Sequence, residues 1–136
     1  MTSRLNPYIG FSGNARQAME FYRDVFGGDL RINTFGEYGQ ADSAEADKIM
    51  HAQLETDNGF TLMASDGPPG TEVTVGDNIS ISLSGDDTEV LTRCWNGLAE
   101  GASIIEPLTE APWGDTFGML TDRFGINWMV NIGPSA

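Results

Sequence analysis

Basic side chains are scarce in this chain. Of its 136 residues, 7 are Lys or Arg and 20 are Asp or Glu, which gives a formal net charge of -13 at pH 7. So negative a surface repels the phosphates of nucleic acids and the headgroups of anionic membranes. We therefore expect neither nucleic acid nor a membrane among the partners. The same charge favours solubility and leaves cationic small molecules as candidate ligands.

Cysteine and long apolar runs are equally scarce. The single cysteine, Cys94, excludes an internal disulfide and is typical of a reducing compartment. It falls on the apolar face of a predicted helix, which indicates a core residue rather than a nucleophile. No segment approaches the length of a membrane span, and no apolar run follows the basic Arg4 near the N-terminus. These features predict a soluble, cytoplasmic protein.

The scarcity of metal-binding residue types disfavours a cofactor. Catalytic zinc, iron or manganese sites generally use about three side chains drawn from His, Cys, Asp and Glu, and the chain has one histidine, His51. We expect no cofactor, a divalent metal being the less favoured alternative. That alternative would combine His51 and Glu55 with either Glu37 or Asp115. The chain also lacks a phosphate-binding glycine loop, a nucleophile elbow, a zinc-type cysteine pair and a dinucleotide fingerprint.

A stretch near the N-terminus returns in the second half of the chain. The first copy begins at Asn6 and the second at Asn78, an offset of 78 minus 6, or 72. At that offset four positions are identical without a gap: Asn6/Asn78, Ile9/Ile81, Ser12/Ser84 and Gly13/Gly85. In each copy a half-apolar run meets Ser-Gly, then a capping residue, then a helical pattern. The repeat predicts a duplicated strand-turn-helix unit.

Each copy opens a βαβββ module, and the predicted class is α+β. The first module, residues 5–66, has a helix from Ala15 and strands at 6–11, 30–35, 49–56 and 60–64. The second, residues 77–133, has strands at 78–84, 102–106, 117–121 and 126–132, with a helix between the first two. Capping pairs are predicted at Asn14/Gln17 and Asp86/Glu89. We treat residues 1–136 as one domain with these two modules, in which the polar loop 36–47 is long enough to be functional.

Several short motifs point to a known family. They are Asn6-Pro7-Tyr8, Gly13-Asn14-Ala15 leading to Phe21-Tyr22, Met50-His51-Ala52, Asn78-Ile79-Ser80, and Trp113 to Gly118 before a terminal hairpin. With the two modules, they resemble the PhnB-like branch of the vicinal oxygen chelate superfamily. That superfamily holds glyoxalase I, extradiol dioxygenases, fosfomycin-resistance thiol transferases and bleomycin-resistance proteins. The resemblance implies half-barrel sheets with the helices outside, a cavity on the concave face, and a homodimer.

The resemblance also implies where a metal would be held. The metal-binding positions of the superfamily fall on Asn6 and Asn78 in the first strands and on Leu62 and Met129 in the last strands, with the register at Leu62 and Asn78 open to a shift by one position. None of these is a histidine or a carboxylate. A site of this composition would not bind a hard dication with useful affinity. We therefore expect a metal-free cavity.

Candidate ligand-binding residues follow from strand phase, from residue type and from the four positions that the resemblance implies, whereas no catalytic residue is assigned. His51 shares a strand face with Gln53 and Glu55, and a neutral imidazole there could serve as a base or bind a ligand's acid group. Tyr8, Trp113 and Phe117 could hold a flat or cationic ligand by stacking; packing of Trp113 in the core is an equal alternative. The full candidate set is Asn6, Tyr8, His51, Gln53, Leu62, Asn78, Trp113, Phe117 and Met129.

The leading hypothesis is a protein that binds a small organic molecule in a metal-independent cavity, for sequestration or resistance. The alternative is a divalent-metal-dependent lyase, thiol transferase or dioxygenase with an atypical ligand set around His51. A third reading is an interaction module with a vestigial cavity. Relatives of the PhnB-like branch often carry a ubiquinone-pathway methyltransferase label, but nothing in the chain resembles a site for S-adenosylmethionine.

Overall fold

Each half of the chain pairs one helix with a four-stranded sheet, which confirms the predicted α+β class. The computed structural model describes residues 3–39, 46–68 and 72–133. The chain divides into two compact units, Met1–Thr74 and Val75–Ala136.

The first unit contains β1 (Tyr8–Phe11), α1 (Ala15–Phe26), β2 (Asp29–Thr34), a short 3-10 helix (Phe35–Tyr38), β3 (Ile49–Glu55) and β4 (Thr61–Asp66). Its strand order is β1-β4-β3-β2, with β1 parallel to β4 and the other pairs antiparallel. The 3-10 helix occupies the start of the predicted loop 36–47, of which residues 40–45 lie outside the described residues.

Helix α1 covers one face of the first sheet. Its apolar stripe recurs at helical spacing and is buried: Ala15, Ala18, Met19, Tyr22 and Phe26. The stripe packs against β2, β3 and β4, whose alternate side chains Ala52, Leu54, Leu62 and Ala64 are buried beneath it. Period-two alternation then places the neighbouring side chains on the face opposite α1. This second face carries most of the candidate residues of the unit.

The N-terminus of α1 is capped from a distant strand. Asn14 makes no side-chain capping hydrogen bond, so the predicted pair Asn14/Gln17 is wrong. Asp66, only 3% exposed, accepts hydrogen bonds from the backbone N–H groups of Gly13 (2.9 Å) and Ala15 (3.0 Å) through Oδ1. Its Oδ2 accepts from the N–H of Ile49 at 2.8 Å. One buried carboxylate therefore joins α1, β3 and β4.

The second unit contains β5 (Ile81–Gly85), α2 (Thr88–Leu98), β6 (Ser103–Glu110), β7 (Thr116–Thr121) and β8 (Asn127–Ile132). Its strand order, β5-β8-β7-β6, repeats that of the first unit, with β5 parallel to β8. Helix α2 packs against β5 and β8. Apolar residues alternate along β8 at Trp128, Val130 and Ile132, a pattern that predicts a core face, and all three are buried.

Two local predictions for this unit differ from the structure. The N-cap of α2 is Asp87, whose side chain accepts from the N–H of Val90 at 3.1 Å, rather than Asp86. Strand β6 continues four residues past the predicted end at Glu106 and includes Pro107. Because β6 lies at the edge of its sheet, the missing N–H of a proline is tolerated there.

The two units also share a hairpin turn before their last strands. In the first unit the N–H of Thr56 donates to Phe60 O, and in the second the N–H of Asp122 donates to Ile126 O. The buried Asp122 carboxylate additionally accepts from the indole N–H of Trp128 at 2.9 Å. The turn thereby fixes Trp128, the largest fully buried side chain of the described residues.

Candidate functional site

The face of the first sheet opposite α1 carries a continuous row of paired residues. Tyr8 on β1 lies beside Met63 on β4, Met63 beside Gln53 on β3, and Gln53 beside Arg31 on β2. Cross-strand partners share a sheet face. His51 lies two residues before Gln53 and so projects from the same face, beside Asn33. The candidates Tyr8, His51 and Gln53 are therefore brought together.

These three side chains form one hydrogen-bonded string. The Tyr8 hydroxyl lies 3.0 Å from His51 Nδ1, and His51 Nε2 lies 3.4 Å from Gln53 Oε1. The Tyr8 and His51 rings are 5.6 Å apart between centroids and tilted by 34°. Tyr8 is 54% exposed, whereas His51 and Gln53 are half-buried. The string is anchored in the sheet at Gln53 and reaches solvent at Tyr8.

Acidic side chains predominate around the string. Arg31, beside Gln53, forms an ion pair with Asp29 at 3.1 Å. Glu55 lies opposite Asp29 on the same face. Glu37 accepts a hydrogen bond from Asn33 at 3.3 Å. Counting Glu37, which contacts this face through Asn33, the described residues around the string carry three carboxylates and one guanidinium, which favours a cationic over an anionic ligand.

The predicted position at Leu62 is displaced by one residue. Leu62 is only 4% exposed and lies beneath α1, facing away from Tyr8. Its neighbour Met63 pairs with Tyr8 and is half-buried. Because strand side chains alternate, a one-residue shift moves the predicted position to the opposite face. The resemblance placed this position with its register open by one residue, and the pairing of β1 with β4 shows that Met63 rather than Leu62 lies on the face of Tyr8.

Asn6 and Asn78 lie outside the strands in which they were predicted. Strand β1 begins at Tyr8 and β5 at Ile81, so each asparagine precedes its strand. Asn6 is half-buried, and Asn78 is exposed in a bend. Asn6 and Asn78 therefore occupy equivalent positions in the segments that precede the strands, and not within the sheets.

The second sheet has its own candidate face, opposite α2. Met129 lies between Ser82 on β5 and Met119 on β7. Phe117 lies beside Asn131, whose side-chain amide donates to Asp115 Oδ2 at 3.0 Å. Met129 and Asn131, two residues apart on β8, therefore share this face with Phe117.

Trp113 is a surface residue next to that face. It is 64% exposed, so the alternative of core packing is wrong. Its ring meets Phe117 edge-on, with centroids 5.8 Å apart and planes at 62°. The pair offers an aromatic surface on which a flat molecule could stack.

Two features of the described residues bear on metal ligation and thiol chemistry. No group of three His, Cys, Asp or Glu within residues 3–39, 46–68 and 72–133 could hold a metal ion. Cys94 is buried, and burial raises the pKa of its thiol, with the Arg93 charge acting in the opposite direction. A protonated, buried thiol is a poor nucleophile.

Neither helix in the described part of the chain is long and apolar enough to cross a membrane.

Comparison with known proteins settles the affiliation of the chain. A family model described as 3-demethylubiquinone-9 3-methyltransferase matches residues 3–131. The chain belongs to this PhnB-like family. Protein PA1353 from Pseudomonas aeruginosa is 41% identical, with a TM-score of 0.84 over 96% of this chain and 98% of that one. The PhnB protein from Bacillus cereus is 25% identical, with a TM-score of 0.76 over 96% and 100%.

A more distant structure shares the fold of this chain. The glyoxylase/bleomycin resistance protein/dioxygenase domain from Frankia sp. EAN1pec has a TM-score of 0.68 at 14% identity, over 98% of this chain and 99% of that one. At this identity the likeness concerns the fold. It confirms the glyoxalase/bleomycin-resistance architecture that the sequence motifs predicted.

Proposed function

We propose that this protein binds a small organic molecule without a metal ion, on the face of the first sheet that carries Tyr8, His51 and Gln53. The hydrogen-bonded string of these three residues is the observation that carries the proposal. Ligand sites combine apolar surface with a few convergent polar groups. Here Met63 and the Tyr8 ring supply the apolar surface, and the string supplies the polar groups.

The contacts of His51 support metal independence. Both of its ring nitrogens already have side-chain partners, Tyr8 at Nδ1 and Gln53 at Nε2. Coordination of a dication needs a free nitrogen lone pair, so it would cost one of these hydrogen bonds. Glu37 is itself engaged by Asn33, which leaves the alternative enzyme hypothesis without a specific observation in its favour.

Sequestration of the ligand, rather than its conversion, is the role we assign to this binding. The fold neighbour from Frankia carries bleomycin resistance in its description, and that role needs only a complementary cavity. The methyltransferase description of the family is not carried over, because the chain has no glycine-rich dinucleotide fingerprint or comparable nucleotide loop. We further propose a cytoplasmic homodimer as the working form.

A thermal-shift survey tests the proposal. Purified protein is heated with a library of small organic cations, anions and neutral aromatics, each with and without EDTA. We expect at least one compound to raise the melting temperature equally in both conditions, since a ligand that binds only the folded state stabilises it. His51→Ala should abolish this shift. Gln17→Ala, on the exposed face of α1, is the matched control and should retain it.

Two results would contradict the proposal. One is the absence of any shift across the library. The other is a shift that requires added metal and disappears with EDTA, which would restore the metal-dependent enzyme hypothesis.

A further inference from the structure

Gln53 presents a hydrogen-bond acceptor to one ring nitrogen of His51. The atom of Gln53 that approaches His51 Nε2 is the carbonyl oxygen Oε1, at 3.4 Å. A carbonyl oxygen can only accept a hydrogen bond. For this hydrogen bond to form, Nε2 is the ring nitrogen that carries the proton. A neutral imidazole has one N–H, so Nδ1 is left as an acceptor.

As a consequence, the hydroxyl proton of Tyr8 is used in the hydrogen bond to His51 Nδ1. With Nδ1 as an acceptor, the hydrogen bond of 3.0 Å between Tyr8 and His51 uses the only proton of the Tyr8 hydroxyl. The Tyr8 oxygen then has lone pairs to offer and no hydrogen. Donating into a chain of hydrogen bonds also makes an oxygen a better acceptor. Since Tyr8 is 54% exposed, this acceptor is open to a ligand.

The surroundings favour a positively charged donor. The exposed Tyr8 ring can attract a cation over its face. Asp29, Glu37 and Glu55 outnumber Arg31, which is paired with Asp29. A carboxylate or phosphate would instead meet lone pairs on Tyr8 and a predominance of negative charge. Charge and hydrogen-bond direction therefore agree on the same class of ligand.

We propose that this site recognises an organic ammonium ion, whose N–H donates to Tyr8 Oη, and that Gln53 is a positioning residue that sets the direction of the string through His51. The inference rests on the proposed function and specifies its ligand class. It assigns Tyr8 as the contact with the ligand and Gln53 as a residue that acts without touching it.

Nitrogen NMR of the imidazole tests the positioning role. His51 is the only histidine in the chain, so the imidazole signals belong to this residue, and their couplings to the ring protons distinguish Nδ1 from Nε2. At neutral pH we expect a protonated Nε2 and an unprotonated Nδ1. Gln53→Leu should return the tautomer ratio toward that of free histidine, and Gln53→Glu, which keeps an acceptor, should retain the native tautomer. Gln17→Leu serves as the surface control and should change nothing.

A pair of fragments of matched size tests the ligand class. Benzylammonium and benzoate are titrated separately while the His51 ring signals are followed. We expect benzylammonium to shift these signals and benzoate to leave them in place. Tyr8→Phe should weaken benzylammonium binding about tenfold, as expected for loss of one hydrogen bond to a charged group. Gln53→Leu should also weaken it, although Gln53 does not touch the fragment.

The outcomes separate this inference from the function on which it rests. A protonated Nδ1 in the native protein, or signals that move with benzoate or with neither fragment, would overturn the ammonium assignment. A compound of another class that raises the melting temperature without metal would still support the proposed function. Failure of every compound in the thermal survey would remove both.

Discussion

Replacement of Asp66 by Asn tests how the first unit is held together. The Asp66 carboxylate is 3% exposed and accepts from three backbone N–H groups, at 2.8 to 3.0 Å. Asn has the same shape but turns one acceptor into an NH₂ group. If the remaining oxygen keeps Gly13 and Ala15, the NH₂ faces the N–H of Ile49 and that hydrogen bond is lost.

The expected cost of Asp66→Asn is about 3 kcal/mol in the free energy of unfolding. Loss of one hydrogen bond to a charged group accounts for about 1.5–3 kcal/mol, and the other two weaken because their acceptor becomes neutral. For a domain stable by about 5–15 kcal/mol, such a loss is readily measured. Asp66→Ala leaves all three N–H groups unpaired and should destabilise further.

Urea denaturation followed by far-ultraviolet circular dichroism measures the loss, because both units contribute to this signal. Fluorescence would not serve, since all three tryptophans, Trp95, Trp113 and Trp128, lie in the second unit. Amide hydrogen exchange gives a local readout: the N–H groups of Gly13, Ala15 and Ile49 should exchange faster in the variant.

Asp24→Asn is the matched control for this experiment. Asp24 lies on the exposed surface of α1, the helix whose N-terminus Asp66 caps. Its replacement should therefore change the free energy of unfolding by no more than about 0.5 kcal/mol. A loss below about 1 kcal/mol for Asp66→Asn, with unchanged exchange at the three amides, would refute the argument that this carboxylate joins α1, β3 and β4.

Three further predictions concern the second unit. A Cβ added at Gly118 would lie 2.8 Å from two ring carbons of Trp95, so Gly118→Ala should lower the free energy of unfolding by about 1–3 kcal/mol, measured by urea denaturation followed by fluorescence. Gly76→Ala, where the added Cβ would make only an ordinary contact at 3.7 Å, is the control. Equal stability of the two variants would contradict the packing argument. Cys94 should react with Ellman's reagent only as fast as the protein unfolds, because Cys94 is 2% exposed and burial raises the pKa of its thiol. Rapid labelling of the folded protein would contradict this prediction by showing that the thiol is accessible. A raised folded-state pKa also means that the unfolded chain ionises first, so stability should fall as pH rises above about 8.5, and Cys94→Ala should remove this part of the alkaline loss.

The sequence predicted most of the elements because their signals are local. The stripe of α1 repeats at helical spacing, and its predicted start at Ala15 is confirmed. The alternation of Trp128, Val130 and Ile132 likewise predicted a core face of β8, and these residues are buried. Burial of a periodic apolar face is a property of consecutive residues, which is why it can be read without the fold.

Features that depend on distant contacts were not predictable in the same way. The carboxylate at the N-terminus of α1 comes from Asp66, 51 residues after Ala15, whereas a capping box is sought within three residues of the cap. The contact between Tyr8 and His51 depends on the strand order β1-β4-β3, which no local pattern encodes. The shift from Leu62 to Met63 has a similar cause, because pairing with β1 fixes the register of β4.

Native mass spectrometry of freshly purified protein, with metal analysis of the same sample, tests the central claim most directly. It reports bound small molecule, bound metal and oligomeric state together. We expect a dimer that retains or takes up a small organic molecule, with no stoichiometric metal and with binding lost in His51→Ala. Near-stoichiometric zinc, manganese, iron or nickel that is lost in His51→Ala would contradict it.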